Sequence, residues 1–485
     1  MDAIAFEHHL TSPQGHHRVP DGAVTVTVDG GACCDQVALS LSVEGDQVTD
    51  AGFDAHGCGA ATAAGSAAVT LVRGRSVLEA ARIGAPEIAA ELGGLSPGKL
   101  HAAEVAAEAL ARSLGEAVRA GASVAPATRT LVAMSGGVDS AVAALQCARD
   151  GAETVAVTLE LWSDHENDAE RSCCSSSAVA QARSLAHSMG LAHFTIDLRD
   201  EFRAGVVEPF IAGYAAGETP NPCVGCNGHV RLDAMLEFAD RLGCDRLATG
   251  HYARIDETDH VDGPLLRTAA DVAKDQTYML AALSPASLAR MRFPLGELCK
   301  TEVREIAAAA GLPVASKADS QDLCFLAGTN RSRFLARHGG VGAATGHLVD
   351  VDGKVVGRHD GQHLFTVGQR RGIGLAAGEP LYVLDKDADH NRVTVGPRAA
   401  LRATRVAVRN ARLSRAGARV DRVKLRYRSR PIECRLAGDP GPGLHKDLEL
   451  ELADPVDGAA PGQLACLMDG DVVVGWGTIA REAGR

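Results

Sequence analysis

Apolar and polar residues alternate over Val24–Val28 and Val37–Val43, the period of half-buried strands, and Val48–Asp54 repeats the pattern. Helical spacing of apolar residues follows at Ala61–Val72, Val77–Ile83 and Ala102–Leu114. Together these predict an α+β unit over residues 1–125. The stretch Glu116–Arg129, EAVRAGASVAPATR, loses periodicity and gains Gly, Pro and Ser, so it reads as a linker. Beyond it strands and helices alternate. Strand Leu131–Met134, helix Ser140–Asp150, strand Thr154–Leu159, helix Ala178–Met189 and strand Phe194–Ile196 precede a helix starting near Arg199. That rhythm predicts an α/β domain with a doubly wound parallel sheet, over residues 126–327. From Thr345 the texture changes to short strands broken by Asp-Gly, Gly-Gln and Pro-Gly turns, which predicts a β-rich tail ending in a small barrel.

A chain of 485 residues has room for about three domains. With 46% hydrophobic and 23% charged residues it has ordinary globular composition, which excludes a disordered or collagen-like protein. The start, MDAIAFEHHL, has no basic leader, and no run of about 18 apolar residues occurs. These features predict a cytoplasmic protein with no membrane partner. Thirteen cysteines in such a chain point to reduced thiols used for metal or sulfur chemistry. Net charge is −12, yet fourteen Lys/Arg face two acids between Asn391 and Ala437. A basic segment on an acidic body suits a phosphate backbone, or else forms a face whose arginines pair within the fold.

Candidate chemistry begins at Leu131–Ser140, LVAMSGGVDS, a buried strand that runs through SGGVDS into a helix. Gly136 and Gly137 allow a tight turn with N–H groups aimed at an anion, Ser135 and Ser140 add hydroxyls, and the helix start adds its dipole. Asp139 is placed to hold Mg²⁺ bridging phosphates. The segment resembles the PP-loop of ATP pyrophosphatases, which split ATP into AMP and pyrophosphate while adenylating a carbonyl oxygen.

Farther along stand ETPNPCVGCN (Glu218–Asn227), LATGHYARI (Leu247–Ile255), KDQTYML (Lys274–Leu280), FPLGEL (Phe293–Leu298), SQDLCFL (Ser320–Leu326) and FTVGQRRGIG (Phe365–Gly374). In this order, from about Arg129 to Ala480, the chain resembles the tRNA 2-thiouridylase family (MnmA/TrmU type). The resemblance implies an ATP-dependent tRNA uridine 2-sulfurtransferase that adenylates O2 of the anticodon wobble uridine and replaces it with sulfur. Cys226 and Cys324 fall on the family's two active cysteines, with Cys324 carrying a persulfide and Cys226 releasing its sulfur. ATP contacts are implied for Ala133, Met134, Ser135, Gly136, Gly137, Val138, Asp139 and Ser140, with Leu161 and Gly250. Asn221, Pro222 and Cys223 are implied to meet the target base. Lys274, Asp275, Gln276, Arg426 and Tyr427 are implied to meet tRNA. The family's architecture further implies a small central tRNA-contacting domain over 328–378 and a basic tRNA-binding barrel over 379–485, which would hold the anticodon arm. One departure stands out: Cys223 occupies a position where the family carries Asp, making Cys223-x-x-Cys226. With Cys324 that is three thiolates, enough for three irons of a [4Fe–4S] cluster whose fourth iron stays open to hydrosulfide. A persulfide relay, a redox pair and half a zinc site remain alternatives.

Residues 24–118 resemble the amino-terminal domain of iron–sulfur cluster scaffolds (IscU/NifU type), on ACCDQVALSL, FDAHGCGAATAA and KLHAAEVAAEAL. The resemblance implies a metal set of Cys33, Asp35, Cys58 and His101, for a labile iron–sulfur cluster or zinc. Ala102 stands where the family has its third cysteine, and Cys34 replaces the usual Gly. The fusion implies a sulfur supply from a cysteine desulfurase or from inorganic sulfide, at raised effective concentration. Amidation or another small-molecule adenylation, and a non-enzymatic cluster carrier with a regulatory ATP site, are the competing readings. Cys173, Cys174, Cys147, Cys244, Cys299, Cys434 and Cys466 read as structural thiols, His251 as a packing residue, and the His pairs at 8–9 and 16–17 show no ligand spacing.

Overall fold

The computed structural model describes residues 3–30, 34–164, 176–257, 263–318, 323–376 and 378–481. Three antiparallel strands open the fold: β1 (Val24–Gly30), β2 (Asp35–Glu44) and β3 (Gln47–His56), in the order β1-β2-β3. Their alternation buries Val37, Leu39, Leu41 and Phe53 beneath the helices Gly59–Val72 and Leu100–Ala120. At Gly65 a Cβ would stand 2.3 Å from the Phe53 ring, so only glycine lets that first helix lie so close to the sheet.

The Leu100–Ala120 helix overruns the expected linker. Ala117 and Val118 are buried, so the segment that looked irregular is the foot of a helix, and only Gly121–Pro126 connects the domains. Its polar residues serve a second surface. Arg112 pairs with Glu108 and Glu160, Arg183 with Glu108, and Arg119 with Glu201.

The second domain is built on five parallel strands, ordered Met291–Arg292, β7 (Cys244–Thr249), β4 (Ala127–Ala133), β5 (Glu153–Glu160) and β6 (Ala192–Asp197). The strand order reverses between β4 and β7, and such a switch point is where open α/β sheets bind ligands. The amino-terminal domain caps the far edge. His193 N on β6 donates to Ala81 O at 2.9 Å, and a Cβ on Gly115 would come within 2.0 Å of Thr195 O. One apolar core runs from Leu39 and Phe53 through Leu110, Leu114 and Val118 to Val155, Ile196 and Phe238. The scaffold-like domain is therefore docked on the catalytic sheet.

Glu160 sits in that junction. Burial pushes its carboxyl up to about 7, against the pull of Arg112 and with help from Glu108. The unfolded value is 4.5, so the folded state binds this proton more tightly, and stability falls as pH rises from 4.5 through 7. Glu160→Gln is expected to raise the melting temperature by about 2–4 °C at pH 8 and not at pH 5. Calorimetry of the two proteins across that range checks it, and an equal gap at both ends would contradict the assignment.

Four strands, Gly346–Val349, Val355–His359, Tyr382–Asp387 and Arg392–Gly396, form the third unit. Residue 378 falls inside this sheet, because its last two strands pair with each other and the final one lies parallel to Gly346–Val349. The final domain closes on itself: Arg402–Leu413 pairs with both Gly443–Asp457 and Val472–Ile479. The short hairpin Arg254–Asp256/Leu265–Arg267 of the catalytic domain extends the same sheet. Among the described residues no helix is long and apolar enough to cross a membrane.

Candidate active site

β4 ends at Ala133, and the chain turns through Gly136, with φ of 67°, into the Val138–Arg149 helix. Ser140 Oγ accepts from Ser135 N at 3.1 Å and donates to Gly137 O at 3.1 Å, which fixes the loop over the helix start. Gly250, at the end of β7, lies so close that a Cβ there would stand 2.7 Å from Ser140 N. The predicted phosphate loop is thus built by the switch-point strands.

Two lysines from distant sequence complete it. Lys300 Nζ donates to both carboxylate oxygens of Asp139 at 2.7 and 2.8 Å, and Tyr252 OH donates to the same group at 2.8 Å. Lys317 Nζ donates to Gly136 O at 2.9 Å. Neither lysine belongs to a motif singled out in the sequence. Lys300 follows FPLGEL and Lys317 precedes SQDLC by a few residues, so basic residues flanking those motifs were the available signal.

A cavity of about 360 Å³ opens beside the loop. Ala133, Met134, Ser135, Asp139, Ser140, Leu161 and Gly250 line one wall, and Pro222, Cys223, Cys226 and Cys324 line another. Asn221 caps the short helix Pro222–Gly225 by accepting from Cys223 N at 3.1 Å. Cys226, 6% exposed, starts the π-turn Cys226–Arg231 directly after it, so the two thiols sit about one turn apart. Cys324 begins the 3₁₀ turn Cys324–Leu326. Three cysteines from two chain regions therefore share a cavity with the phosphate loop, a donor set that fits a cubane's three thiolate ligands. The other described thiols do not line this cavity. Burial pushes Cys147 up to about 11 and Cys244, Cys434 and Cys466 up to about 12, as structural thiols require.

The expected tRNA residues separate into two groups. Gln276 and Tyr427 line the cavity, whereas Lys274, Asp275 and Arg426 do not. Asp275 is buried, accepting from Thr277 Oγ1 and from Lys424 Nζ at 3.0 Å, so its carboxylate holds the loop to the barrel and is withdrawn from any surface ligand. The cavity also contains Arg231 and His251, one missed and one read as packing. Burial, with the nearby Arg231 charge, pushes His251 down to about 3, so it is a neutral hydrogen-bonding group there. Much of the basic window is neutralised internally. Arg398, Arg405, Arg409, Arg419 and Arg435 all pair with carboxylates. Arg428 and Arg430, next to Tyr427, are two of the exposed arginines of the window that make no ion pair among the described residues, with Arg428 over the Tyr427 ring at 5.5 Å.

In the amino-terminal domain Asp35, Cys58 and His101 converge. Asp35 Oδ2 lies 2.9 Å from His101 Nε2 and 3.5 Å from Cys58 Sγ, and Asp35 Oδ1 accepts from Cys58 N at 2.9 Å. These oxygen, sulfur and nitrogen donors fit zinc or iron. Ala102 is fully buried against the helix Gly59–Val72, so no donor replaces the missing thiol from that position. Cys34 is exposed at the turn before β2, with φ of 50°. Cys33, Cys173 and Cys174 lie outside the described residues.

A Gly-Gly phosphate loop at the switch point of a parallel sheet, facing clustered thiols, defines a PP-loop enzyme, here docked to a scaffold-type domain. Family models agree along the chain: NifU-like N terminal domain over 6–119, tRNA methyl transferase HUP domain over 128–328, its PRC-barrel domain over 332–397, and aminomethyltransferase beta-barrel domain over 400–479. The chain is 42% identical to the bifunctional protein NifU/MnmA of Rubrobacter xylanophilus, over 98% of this chain and 97% of that one. It is also 42% identical to the tRNA-specific 2-thiouridylase MnmA of Methylorubrum populi, over 73% of this chain and 94% of that one, and to that of Chloroflexus aggregans, over 72% and 98%. The chain belongs to the bifunctional NifU/MnmA family.

Proposed function

We propose that the protein replaces O2 of the wobble uridine of tRNA with sulfur, at the expense of ATP. The observation that carries this reading is the single cavity lined by the phosphate loop and by Cys223, Cys226 and Cys324. Uracil C2 is a poor electrophile until its oxygen becomes a leaving group. Attack of O2 on the α-phosphorus of ATP expels pyrophosphate; sulfur then adds at C2 and AMP departs with the former oxygen. Gly136, Gly137, Ser135 and Ser140 hold the phosphates, and Asp139 would hold Mg²⁺ once Lys300 turns from its carboxylate to the phosphates. The base must leave its stack to enter the cavity, with Tyr427 at hand as a stacking surface. A [4Fe–4S] group bound by the three thiolates would supply an iron position for hydrosulfide. The amino-terminal donors Asp35, Cys58 and His101 would take a cluster or zinc, loaded by a desulfurase or from sulfide.

Full-length protein purified anaerobically, with its Cys223→Ala and Cys58→Ser variants, tests this. Iron, sulfide and EPR signals are measured before each protein is assayed with ATP, sulfide and tRNA. A cubane signal and thiolation both lost with Cys223, and kept with Cys58→Ser, support the cluster. A colourless protein that thiolates tRNA with a cysteine desulfurase and cysteine as sulfane donor but not with sulfide, and whose thiolation ignores Cys223→Ala, assigns the chemistry to a Cys324–Cys226 persulfide relay, and ATP cleavage without tRNA overturns the tRNA reading.

Binding is expected to depend on the unpaired rim. Arg428→Ala and Arg430→Ala are each expected to weaken tRNA about 3–10-fold and to lower the salt slope by about 1, while Arg405→Ala, already paired, changes little. Filter binding at several salt concentrations reads this directly. Equal effects at all three positions would place the RNA on the whole barrel face.

A further inference from the structure

The amino-terminal domain holds a second convergent set of donors, apart from Asp35, Cys58 and His101. An extended chain sends successive side chains to opposite sides, so adjacent histidines seldom share a ligand. Here His17 has φ of 56°, a left-handed conformation that costs a non-glycine residue about 1 kcal/mol or more. The kink turns both rings to one side, stacked with centroids 3.7 Å apart and planes at 27°. The segment is held in place. Phe53 N donates to Gly15 O and His17 N donates to Phe53 O, both at 2.8 Å, and the His16 ring stacks on Phe53 at 5.0 Å.

Both rings face the next residue of β3, Asp54. His17 Nδ1 lies 3.1 Å and His16 Nε2 3.8 Å from the same oxygen, Asp54 Oδ1. None of these side chains hydrogen-bonds to another; Asp54 Oδ1 instead accepts from Ala55 N at 2.9 Å. His16 Nε2 is enclosed and without a hydrogen-bond partner, a condition that costs about 1–3 kcal/mol if nothing else satisfies it. Two imidazole nitrogens and a carboxylate oxygen thus lie within 4.8 Å of one another, one of the nitrogens enclosed and without a hydrogen-bond partner.

We propose that His16, His17 and Asp54 bind one first-row divalent cation. Imidazole with carboxylate selects zinc, cobalt(II) or iron(II) over the all-oxygen preference of magnesium and calcium. His17 and Asp54 side chains are 69% and 42% exposed, so water completes the coordination and the ion exchanges with solvent. The site is independent of the thiolate chemistry and of the reading of the active site.

Equilibrium dialysis of the full-length protein against zinc tests it, with a Cys58→Ser background that removes the thiolate donor of the neighbouring set. His17→Ala and Asp54→Asn are each expected to lose one equivalent of zinc, or to bind it at least tenfold more weakly, in both backgrounds. With cobalt(II) as probe, the equivalent lost should carry ligand-field absorption without thiolate-to-cobalt charge transfer. His17 is exposed, so its replacement should leave the melting temperature and thiolation unchanged, which separates lost binding from lost folding. Unchanged zinc stoichiometry and affinity in both variants overturns the proposal. So does a lost equivalent that carries the thiolate band.

Discussion

Cys226→Ser and Cys324→Ser are each expected to lower tRNA thiolation by more than about three orders of magnitude, with tRNA affinity held within about twofold. Both thiols face the phosphate loop across the cavity, and serine keeps their volume while removing a nucleophile and soft ligand. The loss should therefore fall on kcat and spare the KM for tRNA. Single-turnover assays that follow AMP and thiolated tRNA separately are the informative measurement. If activation precedes sulfur entry, the variants still release pyrophosphate but form no thiouridine, so the two products uncouple. Retained thiolation in either variant would remove that cysteine from the chemistry. Loss of tRNA binding in both would show that the thiols shape the Pro222–Arg231 turn and do no more. Cys223→Ala discriminates further, because the cluster reading requires it to behave as the other two do and the relay does not.

Much of this site was legible because its chemistry is local. The Ser135–Ser140 loop needs its glycines and hydroxyls within six residues, and Cys223 and Cys226 need only one turn between them, so short motifs carry them. Residues brought in by topology were not. Lys300 and Lys317 reach the phosphate loop across 161 and 181 residues, and no local pattern distinguishes them from ordinary surface lysines. The charge of the barrel leaves two readings open for the same reason. Arg405 and Arg435 are neutralised by acids of the Gly443–Asp457 strand, which only strand pairing reveals. Composition also starts the linker five residues too early. Glu116–Ala120, EAVRA, looks like the start of a linker because the Gly, Pro and Ser that follow it break the periodicity, yet these five residues finish the helix, and Gly115 just before them makes the close contact with Thr195 on β6. The His16–His17 pair shows no ligand spacing in the sequence because its convergence depends on one positive φ.

Lys300→Ala is expected to slow tRNA-dependent AMP formation by about 10²–10³-fold, the usual cost of removing a preorganised charge from a developing anion. Its Nζ is placed by the start of the Lys300–Ala309 helix and by Asp139, 12% of the side chain is exposed, and the Tyr252 ring lies 5.9 Å away. In a site so shielded the charge acts through a lower effective dielectric than water. Pyrophosphate gains negative charge as the α-phosphorus bond breaks, and a lysine beside the loop offsets it more in the transition state than in bound ATP. The effect should therefore appear in kcat more than in the KM for ATP. Lys317, exposed and resting on Gly136 O and Gln181 Oε1, is expected to act mainly on ATP affinity, with a several-fold rise in KM on Lys317→Ala. Removing Lys300 leaves Asp139 its hydrogen bond from Tyr252, so the loop has reason to hold its shape. A melting temperature equal to the parent's would confirm that. Presteady-state release of labelled pyrophosphate resolves the two roles. Should Lys300→Ala raise the KM for ATP without changing kcat, the lysine only binds substrate; should it change neither, its contact with Asp139 is structural and the leaving group is stabilised by other groups.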